Sequence, residues 1–214
     1  MDLFHLPSQT IVNRVIPKNQ FDSFTNTKEK KLFSELVGKI IWANKLSADT
    51  VNLEGKRIQE IQIIRIELRK HTFIPKILEI FDKHMPYHLI FTVWFEDQVY
   101  LSTSSKHEYP TNPNLSVIDW TFTTDWIHYA ENPFRINLRG SLDETHLDFC
   151  GQLSGVPGRF QKLPDLLEHT QKRKALQREI QSLESAIRKS NQFNRKVELN
   201  MRLREVREEL ERMD

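Results

Sequence analysis

Residues 58–69, IQEIQIIRIELR, decide the fold class. Ile64, Ile66 and Leu68 alternate, while Ile61 and Ile63 occupy the opposite phase. Apolar positions in both phases fit a central strand covered on both faces, or a strand carrying a bulge. Beyond it, Pro75 stands where a first-turn proline is tolerated, and Ile77, Leu78 and Phe81 mark one face of a short helix stopped at Pro86. Tyr87 to Phe95 then alternates Leu89, Phe91, Val93 and Phe95 against His88, Thr92 and Trp94. Glu96-Asp97-Gln98 turns into Val99 to Thr103, which completes a β-hairpin. Strand, helix and hairpin in that order predict an α+β domain, a small mixed β-sheet with flanking helices.

Upstream, Leu32, Phe33, Leu36, Val37, Ile40 and Ile41 recur at steps of three and four, which predicts an amphipathic helix over 27–43. The polar stretch 44–49 is expected to turn, and Thr50 to Leu53 to form a short strand. Downstream, residues 105–116 are rich in Pro, Asn and Ser and predict a loop before a strand near Val117 to Phe122. Ser141 and Glu144 match a capping box, placing a helix from Leu142 to about Gly155. Gly155 to Gly158 then forms a linker between a globular domain, 1–158, and a tail, 159–214.

Leu176, Ile180, Leu183 and Ile187 in the tail are spaced four, three, four. Leu199, Leu203, Val206, Leu210 and Met213 are spaced four, three, four, three. Both sets are heptad seams, and the register breaks between Ser190 and Asn194. The pattern predicts a C-terminal antiparallel coiled-coil helical hairpin. Burying one short seam offsets only part of the entropy of ordering some fifty residues, so the hairpin is expected to dock on another chain.

A length of 214 residues suits one core plus an appendage. Residues 161–214 hold 13 Lys and Arg against 10 Asp and Glu, leaving 18 against 19 elsewhere. That small excess is no basic stripe, so composition does not announce nucleic-acid binding. One cysteine, Cys150, excludes an intrachain disulfide. Neither a leader pattern in residues 1–15 nor a run of membrane length is present, which predicts a cytoplasmic protein with no membrane partner.

The stretches IIWANKLSADTVNL (40–53), EIQIIRIELRK (60–70), IPKILEIFDKHMPYHLIFTV (74–93) and NQFNRKVELNMRLREVREEL (191–210) resemble the domain-of-unknown-function 4391 family. What that resemblance implies is a gene setting, since members of the family tend to be encoded beside restriction-type helicases and DNA methyltransferases in phage-defence neighbourhoods. The resemblance implies an antiviral-defence accessory and supplies no catalytic residue.

Glu67-Leu68-Arg69 is similar to a degraded PD-(D/E)xK nuclease motif, with Asp49 or Glu60 as the upstream acid and Mg²⁺ as the metal. Strand alternation puts Glu67 and Arg69 on one face, but an arginine does not deprotonate to act as a base. His84 and His88 have i, i+4 spacing, yet Pro86 between them argues against a shared helix and a metal pair. No phosphate-binding glycine loop and no GxSxG elbow are present. Lys172, Arg173, Lys174, Arg195 and Lys196 are candidates for phosphate contact, although interspersed acids favour a solvated, ion-paired flank. Trp94, Trp120 and Trp126 are candidates for base stacking or for the core.

The reading favoured on these grounds is a non-catalytic accessory subunit without a cofactor. It would dock through the hairpin on a helicase, translocase or methyltransferase component, or on a second copy. A metal-dependent nuclease and a nucleic-acid-binding adaptor are the alternatives.

Overall fold

The computed structural model describes residues 3–213, apart from the side chains of residues 113 and 114. Those residues fall into two compact units, divided after Gly158. The first holds β1 (Ile11–Val15), α1 (Thr27–Leu36), β2 (Val37–Ser47), α2 (Ala48–Val51), β3 (Glu60–Leu68), α3 (Pro75–His84), β4 (His88–Phe95), β5 (Gln98–Tyr109), β6 (Asn112–Thr123), β7 (Ile127–His128) and α4 (Leu142–Leu153). The second holds α5 (Leu163–Lys189) and α6 (Phe193–Glu211). The chain is thus mixed α+β. Among the described residues no helix is long and apolar enough to cross a membrane.

One seven-stranded sheet runs in the order β1-β2-β3-β4-β5-β6, with β7 added to the near end of β5. Every pairing is antiparallel except β3 with β4, which run parallel because α3 carries the chain back across the sheet. As its two-phase pattern requires, β3 is covered on both sides. Ile64 and Ile66 pack with Phe33 of α1 and Ile77, Leu78 and Phe81 of α3. Ile61 and Ile63 pack with Leu142 and Phe149 of α4. Burying these four isoleucines contributes about 1.5–3 kcal/mol each.

The helix expected over 27–43 ends at Leu36, and residues 37–47 are strand β2. Its start is a capping box, with Asn26 accepting the Lys28 and Glu29 N–H groups while Glu29 accepts the Asn26 N–H. Helix-like spacing misled because β2 is bulged. Val37 pairs with Leu68 but Lys39 with Glu67, so Gly38 is an extra residue. The insertion turns Val37 and Ile40, three apart, onto the same core face. A β-carbon at Gly38 would lie 3.1 Å from the Glu67 carbonyl oxygen, so this close approach favours glycine. The turn expected at 44–49 is the end of β2 leading into α2, and α2 also replaces the strand expected at 50–53.

The loop expected over 105–116 is the tip of a long β5–β6 hairpin, whose strands reach Tyr109 and resume at Asn112. Its polarity conceals a strand whose hydroxyls bond one another. Ser102 and Thr123 approach to 3.0 Å, as do Ser104 and Thr121, and Ser105 donates to Asp119 at 3.2 Å. Helix α4 begins at Leu142, where the Ser141 hydroxyl accepts the Glu144 N–H.

Within the second unit, α5 and α6 are joined by residues 190–192. Leu176, Val206 and Met213 are buried together, with Ile180, Leu183 and Leu210 packed on them. Leu199 and Leu203 are also buried, while Ile187 is half-buried.

Candidate functional site

The acids proposed for a metal are separated. Glu60 and Glu67 lie seven residues apart on β3, hence on opposite faces and about 23 Å apart at about 3.3 Å per residue. Glu60 is occupied by Lys45 at 3.1 Å and by the Gln62 side-chain amide at 2.6 Å. Glu67 pairs with Arg65 at 3.0 Å, and Arg65 lies over the Trp94 ring at 4.6 Å. Asp49 is exposed on α2. Among the described residues no group of three or more His, Cys, Asp and Glu is placed to share a metal ion. Arg69, where a nuclease would hold lysine, donates from Nε to the Val37 carbonyl at 3.2 Å. Its backbone N–H donates to the Leu36 carbonyl at 2.8 Å, so both groups of Arg69 satisfy the carbonyl end of α1.

His84 and His88 share no helix. His84 ends α3 and stacks on Phe24 at 4.1 Å, whereas His88 opens β4 and meets His146 edge-on at 4.9 Å. Around His88 lies a buried polar cluster that the sequence reading missed. Lys106 of β5 donates to the Asp82 and Met85 carbonyls, both at 2.8 Å. Ser104 donates to Asp82 Oδ2 at 2.7 Å. On the other face, Thr103 donates to the Leu89 carbonyl at 2.7 Å and lies 3.2 Å from His146 Nε2. Burial pushes Asp82 up to about 6 and Lys106 down to about 8, each against the pull of the other's charge. Burial, with Lys106 nearby, lowers His88 to about 4, and burial also drives the Cys150 thiol upward, away from reactive thiolate. The signals in the sequence were an aspartate on the apolar face of α3 and the polar run Ser102 to Lys106.

The seam residues Leu176, Ile180, Leu183, Leu199, Leu203, Val206 and Leu210 are buried or half-buried. Their flanks carry ion pairs. Lys172 meets Glu209, Arg202 meets Glu179 and Arg207 meets Glu184, each at 2.8 Å. Arg195 pairs with Glu198 at 3.1 Å. A second stripe escaped the heptad reading: Phe193, Val197 and Met201, four apart, are 78%, 43% and 63% exposed. Trp94 is buried, with its indole N–H donated to Thr92 at 3.0 Å.

No curated protein and no solved structure matches the chain. The family model described as Domain of unknown function (DUF4391) matches residues 4–210, and the chain belongs to that family.

Proposed function

We propose that the protein is a non-catalytic accessory subunit of a helicase- or methyltransferase-linked antiviral system. It acts in the cytoplasm and docks on a protein component of that system through α5 and α6, which form an antiparallel coiled-coil hairpin. The observation that carries this reading is the stripe Phe193, Val197 and Met201, which lies at helical spacing in α6 outside the Leu199, Leu203 and Val206 seam. Three large apolar side chains on one helical row cost free energy in water and mark a contact surface. The tail's ion pairs support the same reading, because a flank that satisfies its own charges is suited to a protein neighbour rather than to phosphates. The defence setting rests on the neighbourhoods implied by the family resemblance.

The test is a pull-down of the neighbouring helicase and methyltransferase products with the full chain and with a Phe193→Ser, Val197→Ser, Met201→Ser variant. Capture by the wild type and its loss in the variant are expected. Undiminished capture by the variant overturns the stripe as the docking surface, and self-association abolished by the variant assigns the stripe to a second copy instead.

A further inference from the structure

We infer that the connection between β3 and α3 carries a binding surface for single-stranded nucleic acid, with Phe73 and Trp126 as the stacking platform and Arg69, Lys70 and Lys76 facing the phosphates. This surface lies in the first unit.

The segment 69–76, RKHTFIPK, leaves β3 and enters α3. Phe73 is 46% exposed although it stands beside a well-formed core. Its ring centroid lies 5.8 Å from Trp126 and 4.9 Å from Tyr100, while Trp126 lies 4.4 Å from His71 and 4.8 Å from Tyr100. Buried Tyr100 anchors the group, because its hydroxyl accepts the Ile74 N–H at 3.1 Å and fixes the backbone that presents Phe73. A rigid, partly exposed aromatic set of this kind offers π-faces to unstacked bases, which stack without regard to sequence.

Charge selects the occupant. Among the described residues Arg69, Lys70 and Lys76 join no ion pair, in contrast to Lys172, Arg202 and Arg207 of the tail. Arg69 bonds only neutral carbonyl oxygen, which leaves its charge uncompensated. The segment itself has no acid, and across Thr124 to His128 only Asp125 opposes these cations. Helix α3 also starts without a side-chain cap on its first N–H groups, so its dipole adds positive potential at the same end. Three cations in the segment that carries exposed Phe73 suit a polyanion with free bases. A duplex, whose bases are already stacked, would use the cations alone.

The experiment titrates the full-length chain against fluorescein-labelled oligodeoxythymidylate and against a duplex of equal length, at several salt concentrations. It follows anisotropy together with tryptophan fluorescence. Three variants accompany the wild type: Phe73→Leu, which keeps apolar volume but removes the ring; Lys70→Glu with Lys76→Glu; and, in the tail, Lys172→Glu with Arg173→Glu and Lys174→Glu. Expected are preference for the single strand, tryptophan quenching, and roughly tenfold weaker binding for Phe73→Leu. The Lys70/Lys76 variant should lose affinity and flatten the salt slope by about 1.4. No binding by the wild type at low salt, equal affinity for the duplex, binding unchanged in both first-unit variants, or loss caused by the tail variant would each overturn the inference.

Discussion

Lys106 and Asp82 form a buried pair in which the ammonium stands 3.6 Å from Asp82 Oδ1 and also holds the Asp82 backbone carbonyl at 2.8 Å. The pair binds the middle of β5 to the last turn of α3. Both side chains are nearly inaccessible, so removing one partner strands the other charge. Lys106→Met is expected to cost about 3–5 kcal/mol. Combining it with Asp82→Leu should recover much of that loss, because replacing both partners leaves no uncompensated charge. Urea denaturation of the single and double variants checks this, and strictly additive losses would contradict it.

Stability against acid is set by opposing groups in the same cluster. His88 is lowered from 6.5 to about 4 by burial, so its contribution is present above about pH 6.5 and lost as the pH falls toward 4. Asp82 is raised from 3.8 to about 6 by burial, so its contribution is present below about pH 3.8 and lost as the pH rises through 6. Between about pH 7 and 4.5, His88→Phe should therefore lose less stability than the wild type, and Asp82→Asn should lose more. Parallel stability curves for all three proteins would refute the assignment.

Val206 is fully buried in the cluster that holds Leu176 of α5, and Leu203, one turn before it on α6, is nearly so. Leu203→Asp places an unpaired charge there, at a cost of about 2–5 kcal/mol or more. Expected are melting of the two C-terminal helices, loss of partner capture and a first unit that stays folded, all visible in amide hydrogen exchange. A chain ending at Gly158 should likewise remain folded. If either change unfolds the sheet, the tail is part of the core and its docking role fails.

Arg69 closes the carbonyl end of α1, and the acids that would hold a metal stand apart. The purified protein is accordingly expected not to cleave DNA or RNA with magnesium or manganese. Metal-dependent cleavage that disappears in Glu67→Ala would replace the accessory reading with the nuclease one.

How far the fold was legible depended on what each residue answers to. The two-phase isoleucines of β3, Pro75 at the head of α3 and the Ser141 cap are local signals that appear in the structure where the sequence put them, and the break expected between Ser190 and Asn194 falls where α5 gives way to α6. Periodicity, proline geometry and capping act within a few residues, so the chain itself carries them.

Tertiary structure decided the rest. Val37 to Ile41 has spacing acceptable to a helix, and it becomes strand because β3 offers an unpaired edge and Gly38 permits the bulge. Residues 105–116 look like loop, yet Ser105 and Lys106 continue β5 because Asp119 and Asp82 arrive from elsewhere to satisfy their polar groups. Phe73 and Trp126 carry no motif, since the second is brought beside the first only by the folding of β5 and its neighbours. The physical reason is common to all three. A backbone edge, a buried hydroxyl and an exposed ring take their free energy from partners distant in the chain, and those partners are present only once the sheet has formed.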